Sequence, residues 1–207
     1  MIMSALITTS TPMNTPGNAG TNDLKYGAGQ LNPTKARDPG LVYDASEGDY
    51  IAMLCTQGYN ATQLALIVGS NATACSNGTT TMAAASASDL NYLSMAARVE
   101  PGKSFTLVFP RTVTNVGASG VAVYDMKILT DTADNLTVAV EPSRLEFSAQ
   151  TTKASFTVTV SGVVMEDRKM HLAAIVWYNN EHEVRSPVVV YATSDDSQPP
   201  SKMGFRQ

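Results

Sequence analysis

The sequence predicts a mainly β fold in which two sheets pack face to face around one core. Three observations carry that reading. Short runs rich in β-branched residues recur through residues 89–192, separated by turn residues at intervals of roughly eight to twelve positions. The last two runs flank Asn179-Asn180, a dipeptide suited to a tight hairpin because Asn tolerates the positive φ that such turns favour. Hydrophobic residues make up 43% of the chain and charged residues only 15%, enough to fill a core of that size.

Taken in chain order, the N-terminal heptad Met1–Ile7 is apolar and leads into a polar stretch with Pro12 and Pro16. It lacks the basic start of an export signal and its apolar run is short, so it reads as the end of a helix from a domain core. If translation began at Met1, the chain would have no export signal and would stay in the cytosol, with its cysteines as thiols. Residues 46–88 read as helix and loop. Asp49–Cys55 has a helical pattern, with Ser46 as N-cap, Asp49 three residues on at capping-box spacing, and Gly58 as a stop. Thr62–Val68 fits one or two further helical turns, and the small polar stretch Ser70–Ser88 a surface loop.

The β runs are Phe105–Phe109, Thr112–Val116, Val121–Leu129, Leu136–Val140, Arg144–Ser148, Ser155–Val160, Leu172–Tyr178 and Val184–Tyr191. Seven or eight strands of this kind in about 100 residues is the pattern of an immunoglobulin-like or fibronectin type III-like sandwich. Within the seventh run, Ala173, Ile175 and Trp177 share one face and Leu172, Ala174 and Val176 the other. Pro187 marks its strand as an edge or a bulge. Residues 193–207, with Pro199-Pro200, read as a disordered tail.

Charge and histidine content exclude several classes of function. The net charge is −4 with no basic stripe, which argues against nucleic acid as a partner. No apolar run reaches the roughly 18 residues that span a bilayer. The two histidines are His171, expected at a strand start, and His182, expected in a solvated hairpin end between Glu181 and Glu183. Adjacent strand residues point to opposite faces, so Glu181 and His182 would not act as a pair. No Cys/His spacing reads as a metal site, and no glycine loop reads as a cofactor cradle. Cys55 and Cys75 are either two unrelated thiols or a bridge. A bridge would close a loop of about 20 residues and stabilise by roughly 3 kcal/mol in an oxidising compartment. Asn60, Asn71, Asn77 and Asn135 each open an Asn-X-Ser/Thr glycosylation triplet.

Several segments, in order, resemble one family. Met3-Ser4-Ala5-Leu6-Ile7-Thr8-Thr9 with Pro12-Met13-Asn14 resembles the stretch after the catalytic-serine helix of plant-type subtilisin-like serine proteases. Tyr26-Gly27-Ala28-Gly29-Gln30-Leu31-Asn32-Pro33 and Asp38-Pro39-Gly40-Leu41-Val42-Tyr43-Asp44 are similar to two further family segments. Asp49-Tyr50, Leu54-Cys55 and Gly58-Tyr59 match the next. Asp89-Leu90-Asn91-Tyr92, Arg111-Thr112-Val113-Thr114-Asn115-Val116-Gly117 and the final hairpin with Trp177, His182 and Val184-Arg185-Ser186-Pro187 resemble the family's fibronectin type III-like domain. Leu93, where the family usually has Pro, and Asn179-Asn180, where it usually has Asp-Gly, depart from the pattern.

The resemblance implies a division into residues 1–45, the C-terminal remnant of a subtilisin-like α/β catalytic domain; 46–88, a connector; 89–192, the sandwich; and 193–207, a tail. In such proteases the Asp, His, Ser and oxyanion Asn lie upstream of the segment resembling residues 3–9. The chain is therefore expected to carry no catalytic residues, to be inactive alone, and to have its own catalytic domain as partner. Secretion, a Cys55–Cys75 bridge and glycans follow as family expectations, with no cofactor, metal, membrane or particular oligomeric state implied. The alternative is a free-standing extracellular binding or regulatory module derived from the family. Residues 1–45, lacking the rest of their domain, are expected to find no partner sheet.

Overall fold

The computed structural model describes residues 1–13, 27–69, 87–118, 120–130, 136–166 and 170–194. One sheet has the order β1 (Leu41–Tyr43), β3 (Ser104–Asn115), β7 (Lys153–Val163), β5 (Leu136–Glu141). The other has the order β2 (Met95–Val99), β9 (Glu183–Ala192), β8 (Met170–Tyr178), β4 (Ala122–Thr130), β6 (Arg144–Phe147). Every pairing is antiparallel except β2 on β9. The expected sandwich is present, and its core lies where the alternating apolar positions of the two sheets face each other. Phe109 and Val113, Phe156, Val158 and Val160, and Ala173, Ile175 and Trp177 meet there, with the Phe156 and Trp177 rings edge to face at 5.0 Å.

Three strand details differ from the sequence reading, each for a physical reason. The runs Phe105–Phe109 and Thr112–Val116 are one strand, β3, running through Pro110. On one side β3 is paired along Ser104–Thr114 with β7, but on the other β1 covers only Val113–Asn115. Pro110 therefore sits on an open edge, where no ladder asks for its missing N–H. The same logic places Pro187: β2 pairs with β9 from Val188 onward, so the proline is the last residue before that ladder begins. Strand β2 carries no sequence signal, because Met-Ala-Ala-Arg is not β-branched; its parallel pairing with β9 decides its conformation.

The final hairpin is shifted by one residue from the expectation. Asn179 N–H donates to the His182 carbonyl, which makes Asn180 and Glu181 the central pair. Asn179 works through its side chain: Oδ1 accepts from the N–H groups of Glu181 (2.9 Å) and His182 (2.7 Å), an Asx turn.

Among the described residues, four α-helices accompany the sandwich: α1 (Ile2–Thr8), α2 (Pro33–Ala36), α3 (Glu47–Thr56) and α4 (Ala61–Val68). Helix α3 has the predicted capping box, Ser46 with Asp49, and Gly58 follows it with φ of +87°. Helix α4 has a second box, Asn60 with Gln63. The expectation that residues 1–45 find no partner sheet is corrected. Leu41–Tyr43 add a fully buried strand to the sandwich, and α1 packs against β1 and β9. Ala174 and Val176, on the outer face of β8, are accordingly buried too, and Val176 shares a groove with Thr8–Pro12. The tail expected beyond residue 192 falls, past Ser194, outside the described residues, as does most of the Ser70–Ser88 loop.

Tyr43 crosses the core. Its hydroxyl lies 2.7 Å from that of Ser186 on the opposite sheet, its backbone N–H donates to Ser4 Oγ at 2.9 Å, and its ring packs edge to face on Phe156. Burial pushes its phenol up to about 12, against smaller lowering effects of Ser186 and Arg111. The folded state thus holds this proton more tightly than the unfolded chain. The associated stability is complete below pH 10 and is lost as pH rises from 10 toward 12, by up to about 1.4 kcal/mol per pH unit. Urea titrations across that range should show a steeper decline for the parent than for Tyr43→Phe. That variant should itself be about 1 kcal/mol less stable at pH 7, because Ser186 is left without its partner.

Candidate functional site

The residues singled out as family motifs converge on the junction between the N-terminal segment and the sandwich. Arg111 is 4% exposed, on the face of β3 that looks toward Tyr43. Its Nε donates to the Tyr92 carbonyl (2.9 Å), and its Nη1 to the carbonyls of Ser88 (2.8 Å) and Pro110 (2.7 Å). The guanidinium also lies 5.6 Å from the Phe109 ring centroid. Burial lowers its pKa from the ordinary value, and the neighbouring Tyr43 and Asp89 act in the opposite direction. Beside it, Asn91 Oδ1 accepts the Thr112 N–H at 2.8 Å while Nδ2 donates to the carbonyls of Thr112 (2.8 Å) and Asp44 (3.0 Å). Together the two side chains fasten residues 88–92 and the end of β1 onto β3.

A second cluster forms around Gly40, whose φ is +71°. The expectation of a solvated His182 is corrected: its side chain is only 10% exposed. It is wedged over Gly40, where a Cβ would come within 2.6 Å of its ring and 2.5 Å of the Tyr124 hydroxyl. His182 Nε2 lies 3.2 Å from Asp38 Oδ2, and Nδ1 lies 3.4 Å from the Tyr124 hydroxyl. Carboxylate, imidazole and hydroxyl in a row have the outline of a relay, but the hydroxyl is a buried phenol. Burial pushes Tyr124 up to about 12, outweighing the opposing hydrogen bond from Asn179. A phenol held protonated is the reverse of an activated nucleophile, so the trio acts as a wedge that fixes the hairpin against Asp38-Pro39-Gly40. His171 is buried at the start of β8 on the core face. Among the described residues, no group of three or more His, Cys, Asp or Glu side chains could hold a metal ion.

Helix α1 is amphipathic in an inverted sense. Its buried residues are Ser4, Ala5 and Thr8, while Met1, Ile2, Met3 and Leu6 are 64%, 80%, 49% and 38% exposed. The small side chains let the helix sit close to β1. Thr8 and Thr9 turn their hydroxyls back to the carbonyls of Ser4 (2.8 Å) and Ala5 (2.6 Å). Ile7 packs against the core, while Ile2 and Leu6 point away from the sandwich. In α4, Leu64 is buried whereas Leu66 and Ile67 are exposed. Outside these helices, Glu183 holds Lys127 at 2.9 Å and lies 4.0 Å from Lys35, and the bond from Lys127 lowers its pKa.

Of the residues expected to be modified, Cys55 lies half-buried in the last turn of α3 and Asn60 lies exposed at the start of α4. Cys75, Asn71, Asn77 and Asn135 lie outside the described residues. Sequence reasoning missed the roles of Arg111, Asn91 and Gly40. Each stands in a segment matched to the family, but a buried cation on backbone carbonyls has no sequence pattern of its own.

Comparison with known proteins agrees with this geometry. The fibronectin type-III domain family model matches residues 89–190. Subtilisin-like protease SBT4.9 of Arabidopsis thaliana is 43% identical over 196 residues, covering 94% of this chain and 26% of the relative. Subtilisin-like protease SBT4.10 of the same plant is 42% identical over 193 residues, covering 92% and 27%. SBT4.3 is 40% identical over 191 residues, covering 92% and 25%. The chain thus spans about a quarter of the length of the curated relatives it matches.

Two substitutions probe the junction. Gly40→Ala introduces a Cβ at positive φ into a space held by Tyr124 and His182, and should cost about 3 kcal/mol in urea unfolding. Arg111→Met removes three hydrogen bonds to partly buried backbone carbonyls and should cost a similar amount, about 3 kcal/mol. Amide exchange read by mass spectrometry should accelerate first at residues 88–92 in Arg111→Met, with the β8–β9 ladder still protected.

Proposed function

We propose that this chain, which belongs to the plant subtilisin-like proteases as their C-terminal region, serves as the non-catalytic support of a serine endopeptidase domain and hydrolyses no peptide by itself. The observation that carries this reading is the inverted helix α1. It is anchored to the sandwich through Ser4, Ala5, Thr8 and the partly buried Ile7, and it leaves Met1, Ile2 and Leu6 exposed, with Met3 half-exposed beside Tyr92. An apolar face of this kind fits a partner surface, and in a protein of the relatives' length a subtilisin-like domain would supply it. The sandwich holds the near side of the junction through Tyr43, Arg111 and Gly40, and the catalytic domain covers the far side. The Asp/His/Ser triad and the oxyanion Asn belong to that domain, in line with a trio at Asp38, His182 and Tyr124 whose hydroxyl is held protonated.

An extracellular location follows from the same reading. It goes with a bridge between Cys55 and Cys75, the only two cysteines in the sequence, which would tie the end of α3 to the segment after α4. In that compartment Asn71, Asn77 and Asn135 are further acceptor triplets.

The test has two parts. The isolated chain should not react with a serine-directed fluorophosphonate probe, and labelling would overturn the assignment. In the complete protease, the double substitution Ile2→Ser, Leu6→Ser should reduce secreted activity at least tenfold. In the isolated chain it should leave the melting temperature unchanged and lower the binding of an apolar dye. A complete protease that keeps full activity with both serines would show that this face docks nothing needed for catalysis.

A further inference from the structure

We infer that Asn60 is an N-glycan acceptor whose side chain caps helix α4 at the same time, so that the glycan is set on a fixed helix start. This rests on the extracellular reading above. The triplet is Asn60-Ala61-Thr62, and Asn60, Ala61, Thr62 and Gln63 are all exposed. The two functions of the Asn60 amide fall on different atoms. Oδ1 accepts the Gln63 N–H at 3.0 Å, and the Gln63 Oε1 accepts the Asn60 N–H at 3.0 Å, closing the box. The glycosidic bond uses Nδ2 alone. Nδ2 attacks the anomeric carbon of a lipid-pyrophosphate-linked oligosaccharide, the bond from that carbon to the pyrophosphate oxygen breaks, and the lipid pyrophosphate leaves with the electron pair. One Nδ2 proton passes to a base of the transferring enzyme. Oδ1 keeps its lone pairs, one N–H stays on nitrogen, and the cap is unchanged in chemistry.

The placement gives the sugar a position relative to the fold. Gly58, at φ of +87°, turns the chain between α3 and α4, and Tyr59 N–H closes on the Leu54 carbonyl at 3.2 Å. The acceptor therefore leaves a defined turn and not a free loop. Leu64 anchors the first turns of α4 against the protein, fully buried. Tyr59 and Asn60 are both exposed, so a glycan on the cap would stand in solvent next to Tyr59.

Three variants separate acceptor from cap. Thr62→Ala removes the triplet and keeps the cap. Asn60→Asp removes the acceptor and keeps a capping oxygen. Asn60→Gln removes both, since the longer side chain is a poor cap. The full chain is to be exported from a eukaryotic cell behind a cleavable signal and deglycosylated enzymatically in heavy-oxygen water, which turns each occupied Asn into labelled Asp. The expected result is label at residue 60 in most parent molecules and none in any variant. Among deglycosylated proteins, Asn60→Gln alone should have a lowered urea midpoint. Exported chain that carries label at other triplets but not at residue 60, or carries none, overturns the inference, as does an Asn60→Gln midpoint equal to that of Asn60→Asp. The same mapping on protein from its own organism keeps the two readings apart. Label in the exported chain but not in the native one would refute the extracellular reading and leave the acceptor assignment standing.

Discussion

Tyr43 is the residue on which the rest of the arrangement depends. A three-residue strand at a sheet edge contributes few ladder bonds, and by itself it would fray. Leu41–Tyr43 is held because its last residue reaches through the core to Ser186 on the facing sheet. The ring fills the space beside Phe156, which in turn packs on Trp177. The backbone of the same residue receives helix α1 through Ser4. One residue thus joins the two sheets through its side chain and the N-terminal segment through its backbone. The cost of burying a phenol is offset only because its hydroxyl finds a hydroxyl partner there.

Both flanks of this strand are fixed by groups that do not belong to the alternating apolar pattern. Upstream, Gly40 lets the backbone approach Tyr124 and His182 more closely than any residue with a Cβ could. Downstream, Asn91 binds the Asp44 carbonyl, and Arg111 holds residues 88–92 onto β3. These polar contacts are directional where burial of valine is not. Apolar packing would accept β1 in more than one register; a hydroxyl pair at 2.7 Å and a bidentate amide on Thr112 accept one. Buried polar groups of this kind add little net stability, and what they supply here is orientation.

The sandwich was legible in the sequence where period-two alternation of branched residues coincided with a buried face, as in Ser155–Val160, and where an unbroken apolar run marked a strand buried on both faces, as in Leu172–Tyr178. It was illegible where tertiary pairing overrode local preference. Strand β2 reads as Met-Ala-Ala-Arg-Val and becomes a strand only beside β9. The runs Phe105–Phe109 and Thr112–Val116 read as two strands and form one, because whether a proline interrupts a strand depends on whether its N–H side is covered, and that is a property of neighbours. The hairpin was found with its turn displaced, because Asn can serve a turn through φ or through its side chain and the sequence does not distinguish the two. The subtilase segments identified the family, yet the work of Arg111 and His182 became visible only once Asp38, Gly40 and the 88–92 segment were brought to them.

The distribution of apolar surface completes the argument. A helix built only to cap the sandwich would turn all its large apolar residues inward; α1 turns in Ile7 alone, with Ser4, Ala5 and Thr8, and leaves Ile2 and Leu6 exposed. The small inward residues bring the helix axis close to β1, where the Ser4 hydroxyl can reach the Tyr43 backbone and larger side chains would hold it off. The arrangement fixes the helix in position while leaving its main hydrophobic area unspent, about 25 cal/mol for each Å² that a partner removes from water. On the proposed reading, the sandwich side would supply orientation and the exposed side affinity. For the support role proposed above, a surface already held in place would leave little ordering entropy to oppose the docking of a partner domain.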